Sequence, residues 1–115
     1  MKATNDNGEI GGYIQTAQLD GERNLKPKLP VKKVQEQFKN YFNKKIDLIV
    51  TAEEPDPNLY YFEGTITILD KKTNVVLDVL KLGLNNFLPR GAMVCNSEIY
   101  ALVVYTGKDS KIILN

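Results

Sequence analysis

An alternation of largely apolar and largely polar positions runs through the middle of this chain and limits the folds it can adopt. Residues 46–53 and 60–68 each alternate with a period of two, as strands with one buried face do, and the Glu-Pro-Asp-Pro-Asn stretch at 54–58 separates them with turn chemistry. A polar turn at 70–74 then leads into another strand-like run at 75–82, so the sequence predicts a hairpin. The side chains expected on the buried faces are Ile46, Leu48, Val50, Ala52, Tyr60, Phe62, Ile66 and Ile68.

Three further segments complete the expected architecture. Residues 99–105 are apolar on both faces, which is typical of a central strand covered on each side. Residues 31–43 follow Pro30 and carry apolar side chains at helical spacing, so we expect an amphipathic helix there. A short helical turn, capped by one of its first two side chains, is expected at 109–114. The sequence therefore predicts an α+β fold that is mainly β.

Composition excludes several classes of function. The 115 residues are enough for one domain with a real core, and we expect 1–115 to be that single domain. A net charge of +1 and the lack of a reading motif argue against nucleic-acid binding. The chain has no histidine, which excludes histidine-based triads and histidine-ligated zinc. Its single cysteine, Cys95, lies in an apolar context and is expected to pack as a small buried side chain.

The lysines between positions 26 and 45 form the most basic part of the chain: Lys26, Lys28, Lys32, Lys33, Lys39, Lys44 and Lys45. Such a cluster is attracted to an anionic membrane surface or to an acidic regulatory segment. Acidic residues balance this charge over the chain as a whole, and solvated lysines on a helix face are common. Both interpretations stay open at the level of sequence.

The residues with the clearest potential for chemistry are Asp20, Gly21 and Glu22, which follow a strand-like run. Glycine permits a positive φ angle and a close approach of the backbone to a ligand, so this triplet can hold Glu22 out on a tight loop. An exposed carboxylate in that position could bind a cation or activate a water molecule. The same triplet also occurs in ordinary surface turns.

The context of this triplet resembles a known family. Residues 16–26 read Thr-Ala-Gln-Leu-Asp-Gly-Glu-Arg-Asn-Leu-Lys and are similar to the Thr-Ala-Asn-Leu-Asp-Gly-Glu-Thr-Asn-Leu-Lys signature of phospholipid-translocating P-type ATPases, the lipid flippases. Residues 59–64 resemble that family's Leu-Tyr-x-Phe-x-Gly block. Residues 90–92, 96–97 and 103–111 resemble its closing Arg-Gly, Asn-Thr and Val-Tyr-Thr-Gly-x-Asp-Thr-Lys pattern, in the same order.

The resemblance implies that the chain is the actuator domain of such a pump. The expected fold is a distorted jelly roll with a helix and a hairpin inserted after the catalytic loop, truncated at its N-terminus. In the family, this domain brings its Asp-Gly-Glu loop to an aspartyl phosphate on another domain. The resemblance implies that Glu22 positions and deprotonates the attacking water, that Gly21 allows close approach, and that Asp20 shapes the loop.

The resemblance also defines what lies elsewhere. Mg and ATP are used by the other domains, and no cofactor or metal is expected on this chain. Residues 107–110 lack the upstream glycine of a phosphate-binding loop, and Asp109 interrupts the Gly-Lys-Ser order of such a loop. Asp70 sits in a hairpin turn without the glycine of a phosphorylation motif. The implied partners are the phosphorylation and nucleotide-binding domains of the same polypeptide. A phospholipid and an accessory subunit would engage its membrane part, which makes this chain a cytoplasmic domain of an integral membrane protein.

Two features leave alternatives open. Arg23 replaces the family's threonine, and its cation could pair with Glu22, contact phosphoryl oxygens or point into solvent. Loss of the preceding strands would leave a free sheet edge, which favours self-association. The alternative functions are the actuator of a cation pump and a non-catalytic β-rich interaction module.

Overall fold

The computed structural model describes residues 3–4, 10–95 and 98–114. Its regular elements follow one another as short strands and single helical turns around two sheets. They are β1 (Ala3–Thr4), β2 (Ile10–Gln15), α1 (Ala17–Asp20), β3 (Lys26–Lys28), α2 (Lys32–Glu36), α3 (Phe38–Phe42), β4 (Ile46–Ala52), β5 (Gly64–Asp70), β6 (Val76–Leu82), β7 (Met93–Cys95) and α4 (Lys111–Leu114), with 3₁₀ turns at Leu84–Asn86 and Gly107–Asp109.

The first sheet is organised around β2, which pairs antiparallel with β1, β3 and β7. Tyr13 lies opposite Pro27 on β3 and opposite Cys95 on β7. Ile14, the next residue of β2, is one of the most deeply buried side chains, with 2% exposure. Cys95 is only partly buried at its strand, so the expectation of a buried cysteine was too strong.

The second sheet is the predicted β hairpin with one more strand, in the order β4-β5-β6. Its register runs from Ile46 opposite Asp70 to Ala52 opposite Gly64. The Asp70 carboxylate closes the hairpin turn by accepting hydrogen bonds from the N–H groups of Lys72 and Thr73, each at 3.0 Å. The alternation at 46–53 and the hairpin at 64–82 are confirmed.

The strand predicted over 60–68 begins only at Gly64, and the prediction for its first residues was wrong. Side chains satisfy the backbone here in place of a ladder: the Asp56 carboxylate accepts from the Asn58 N–H at 2.7 Å, and the Asn58 amide oxygen accepts from the Tyr60 N–H at 2.9 Å. Such local bonds hold a chain in turns instead of a strand. Phe62 is nevertheless buried as expected.

The amphipathic segment forms two single helical turns, α2 and α3, instead of one helix over 31–43. The backbone leaves helical geometry at Gln37, where φ is −92° and ψ is 4°. Lys33 on α2 donates to the Asp78 carboxylate on β6 at 2.6 Å. This pair ties the helical segment to the second sheet.

The central strand predicted at 99–105 was wrong. Residues 98–106 adopt no strand in the described part of the chain, and Tyr100 and Val103 are 76% and 74% exposed. Apolar residues on both faces indicate a central strand only where neighbouring strands and layers cover both faces. The described part of this chain provides no such cover for residues 99–105. The predicted terminal turn is present as α4. The hydroxyl of Ser110, one of the two side chains expected to cap this turn, donates back to the Gly107 carbonyl at 2.8 Å.

An aromatic cluster links the loop before β5 to the C-terminal part. Phe62 stacks on Phe87 with ring centroids 4.7 Å apart, and Tyr105 meets both rings at 6.3 and 6.2 Å. The Tyr105 hydroxyl donates to the Glu53 carbonyl at 2.7 Å. The α+β, mainly β class is confirmed, and closure into a jelly roll stays a prediction. Among the residues described, no helix combines the length and the apolar character needed to cross a bilayer.

Candidate functional site

The Asp-Gly-Glu loop is built by a single helical turn that ends at a left-handed glycine. β2 leads into Thr16, and α1 follows for one turn up to Asp20. Gly21 has φ 76° and ψ −2°, and its N–H donates to the Ala17 carbonyl at 2.9 Å. A side chain strains this backbone geometry, so glycine is the residue that ends the turn cleanly. Glu22 therefore leaves the turn at an exposed position.

The Asp20 carboxylate holds this loop in shape. It accepts hydrogen bonds from the Thr16 hydroxyl at 3.1 Å, the Glu22 N–H at 2.9 Å, the Lys26 ammonium at 3.1 Å and the Tyr60 hydroxyl at 2.6 Å. The Tyr60 hydrogen bond, followed by that of the Glu22 N–H, holds the pKa of Asp20 well below its ordinary value. Asp20 is thus favoured in its ionised form, and its oxygens accept hydrogen bonds from within the loop and from Tyr60.

Tyr60 and Lys26 are the residues of this site that sequence reasoning did not single out. The hydrogen bond to Asp20 raises the pKa of the Tyr60 phenol, because ionisation would place two anions side by side. The Lys26 ammonium also lies 4.8 Å from the centre of the Tyr60 ring. Lys26 lies in the motif block 16–26 and Tyr60 in the block 59–64, and this membership was the only feature of the sequence that could have drawn attention to them.

Two of the closing motif segments lie near α1 and near the segment that carries Tyr60. Gly91, with φ 93°, lies so close to Leu19 that an added Cβ would stand 3.0 Å from the Leu19 side chain and 3.5 Å from that of Ile112. Lys111, which precedes Ile112 in the chain, is 2% exposed, and its ammonium donates to the Asp56 carbonyl at 2.6 Å. Blocks that are far apart in sequence therefore converge on α1 and the segment that carries Tyr60.

Arg23 is exposed beside Glu22, and its backbone is held by the Gln15 side-chain amide, which donates to the Arg23 carbonyl at 3.2 Å. Within the described ranges, no ion pair joins Arg23 to Glu22. Of the three arrangements that the sequence leaves open for Arg23, the ion pair with Glu22 is therefore absent from the described residues.

Comparison with known proteins agrees with this arrangement of motifs. No protein-family model matches the chain. It is 37% identical to the phospholipid-transporting ATPase dnf1 of Schizosaccharomyces pombe, over 100% of the chain and 7% of that protein. It is 36% identical to phospholipid-transporting ATPase IG of Homo sapiens and 34% identical to phospholipid-transporting ATPase DRS2 of Saccharomyces cerevisiae, over 90% of the chain and 9% and 7% of those proteins. The chain matches a segment of phospholipid-transporting ATPases. It spans less than a tenth of the length of these relatives.

A half-buried lysine lies next to the loop. Lys28 lines a cavity of ≈ 40 Å³ together with Thr16, Asp20 and Tyr60, and its ammonium donates to the Leu84 carbonyl at 2.6 Å. Burial, with a smaller contribution from the charge of Lys26, lowers the pKa of Lys28 to about 8. The Lys28 side chain thus lies beside the loop while its ammonium is bonded to Leu84.

Metal binding has no obvious place in the residues described. No group of three histidine, cysteine, aspartate or glutamate side chains suited to a metal occurs among them. Asp20 already accepts from an ammonium, a phenol, a hydroxyl and an N–H group, which leaves Glu22 as the free carboxylate of the loop. The chemistry that this geometry supports is that of a single exposed carboxylate on a rigid turn.

Proposed function

We propose that this chain is the actuator domain of a phospholipid-transporting ATPase and that its loop of Asp20, Gly21 and Glu22 promotes hydrolysis of the aspartyl-phosphate intermediate. The single observation that carries the proposal is the exposed Glu22 carboxylate, held on a left-handed turn that Asp20 fixes. The relatives at 31–37% identity, all phospholipid-transporting ATPases by name, support it.

The proposed reaction is attack of water on an acyl phosphate. Glu22 accepts a proton from the water as the water oxygen bonds to phosphorus, and the bond between phosphorus and the aspartyl oxygen breaks. The aspartyl oxygen leaves as a carboxylate, and inorganic phosphate is released. Gly21 presents no side chain, and space within 4 Å of its would-be Cβ is open, so the turn can approach the phosphate.

The other functions are assigned to the rest of the polypeptide. ATP and Mg act at the phosphorylation and nucleotide-binding domains, which are this chain's proposed partners. Rotation of the actuator domain would transmit phosphate loss to the membrane part, where a phospholipid moves. In this proposal the chain lies on the cytoplasmic side of a membrane protein.

The test is the lifetime of the phosphorylated form of the full-length ATPase after a chase with unlabelled ATP. Glu22→Gln removes the base but keeps the shape of the side chain, and general-base catalysis typically contributes ~10²–10⁴-fold. We therefore expect decay slower by about that factor, with phosphorylation itself unchanged. Glu36→Gln, an exposed glutamate on α2, is the matched control. Unchanged decay in Glu22→Gln would show that the loop is structural.

The role of Arg23 is measured in the same assay. If its cation stabilises the phosphoryl oxygens, Arg23→Thr slows decay while Arg23→Lys preserves most of it. Equal decay in wild type and Arg23→Thr assigns Arg23 to solvent.

A further inference from the structure

We propose that Tyr60 is a positioning residue for Glu22 and acts through Asp20, an inference that rests on the proposed function of the loop. The two oxygens of one carboxylate connect these residues: Tyr60 donates to Asp20 Oδ2 at 2.6 Å, and the Glu22 N–H donates to Asp20 Oδ1 at 2.9 Å. A rotation of this carboxylate would therefore move both contacts at once. The phenol thus fixes the direction in which the backbone of Glu22 leaves the turn.

Tyr60 can serve this purpose because its own segment is fixed to the core. Its N–H donates to the Asn58 side chain at 2.9 Å, and Phe62, two residues on, stacks on Phe87. The Tyr60 hydroxyl thus anchors the loop to a segment that lies 40 residues away in sequence. Local bonds alone would let the turn move as a unit.

The other two side-chain donors to Asp20 are less able to set its orientation. Thr16 lies four residues earlier, on the same turn, and its hydroxyl is shared between both oxygens at 3.1 Å. Lys26 carries a flexible stem, and its ammonium makes a longer contact of 3.1 Å. The tyrosine ring is rigid and makes the shortest of these bonds, so loss of its hydroxyl is expected to affect the aim of the loop most.

The experiment is a double-mutant cycle on phosphoenzyme decay in the full-length ATPase, with Tyr60→Phe, Glu22→Gln and both together. Tyr60→Phe removes one oxygen from a side chain that is 56% exposed, so the fold is retained, and the rate of phosphoenzyme formation checks this. Loss of a hydrogen bond to a charged group predicts decay slower by about 10-fold. Tyr61→Phe is the control, because the Tyr61 hydroxyl interacts with the carboxylates of Glu53 and Glu63 and the Tyr60 hydroxyl with that of Asp20.

A positioning role and a merely structural one differ in this cycle. If Tyr60 acts through Glu22, Tyr60→Phe slows decay alone but adds nothing in the Glu22→Gln background. Additive slowing in the double variant, or equal slowing of formation and decay, would overturn the inference. Slow decay in Glu22→Gln with normal decay in Tyr60→Phe would also overturn it while leaving the proposed function intact. Normal decay in both variants would overturn the proposed function itself.

Discussion

Replacing Gly21 by alanine tests whether the left-handed turn is a requirement of the loop. The added methyl group meets no atom within 4 Å, so packing contributes nothing to the outcome. Gly83 offers a matched control, since its added methyl group also enters open space but its φ is −133°. The two variants differ only in the backbone conformation that alanine must adopt.

The expected magnitude follows from this comparison. Both substitutions restrict the unfolded chain equally, which stabilises the folded state by about 0.4–1 kcal/mol. Only Gly21→Ala also carries the strain of a left-handed L-residue, about 1–2 kcal/mol. The free energy of unfolding of Gly21→Ala should therefore lie about 1–2 kcal/mol below that of Gly83→Ala. Gly21→Asn should recover part of the difference, because asparagine tolerates this region better.

Urea denaturation followed by circular dichroism measures these differences, provided that the slopes of the transitions agree. Gly91→Ala extends the series, because it adds a close contact of 3.0 Å with Leu19 to a φ of 93° and should be the most destabilising of the three alanine variants. If Gly21→Ala and Gly83→Ala unfold within about 0.5 kcal/mol of each other, the turn does not depend on glycine and the argument for loop rigidity fails.

Two further predictions concern the core and pH. Phe62→Ala should lower the free energy of unfolding by about 3–5 kcal/mol, because Phe62 is 5% exposed and stacks on Phe87; Tyr61→Ala, an exposed neighbour, should cost below about 1 kcal/mol in the same titration, and similar losses would contradict the core assignment. The pKa of Lys28 is lowered to about 8 in the fold, so the unfolded chain binds more protons above that pH and stability should rise between pH 8 and about 10. Since Lys28 is only half-buried, we expect a rise of about 1 kcal/mol that disappears in Lys28→Met, and an equal rise in that variant would refute the assignment.

The predictions from sequence succeeded where one rule applied within one segment. The alternation at 46–52 and the polar turn after Asp70 determine the second sheet, because side-chain period and turn chemistry act over a few residues. The prediction failed at 99–105 because burial of a central strand depends on partners elsewhere, which apolar residues alone do not specify. The prediction also placed Tyr60 inside a strand, which was wrong. The side chains of Asp56 and Asn58 accept hydrogen bonds from backbone N–H groups that the pattern had assigned to a β ladder.

The candidate site shows the same division. Asp20, Gly21 and Glu22 could be identified from their order, and the shaping role of Asp20 follows from the local chemistry of aspartate in turns. The contribution of Tyr60 could not, since a hydrogen bond across 40 residues requires knowledge of how the segment before β5 returns to α1. The altered pKa of Lys28 was equally out of reach, because it depends on burial beside Leu84.

The shared acceptor at Asp20 has a consequence for how this loop can change over evolutionary time. Donors from Thr16, Lys26 and Tyr60 converge on one carboxylate, so a lineage that loses one of them leaves the others with an altered partner. Replacement of Asp20 would leave the Lys26 ammonium and the Tyr60 hydroxyl without the carboxylate that accepts from both. These four positions should therefore be inherited as a set, whereas Arg23, whose backbone carbonyl accepts from Gln15, is not tied to that set through Asp20.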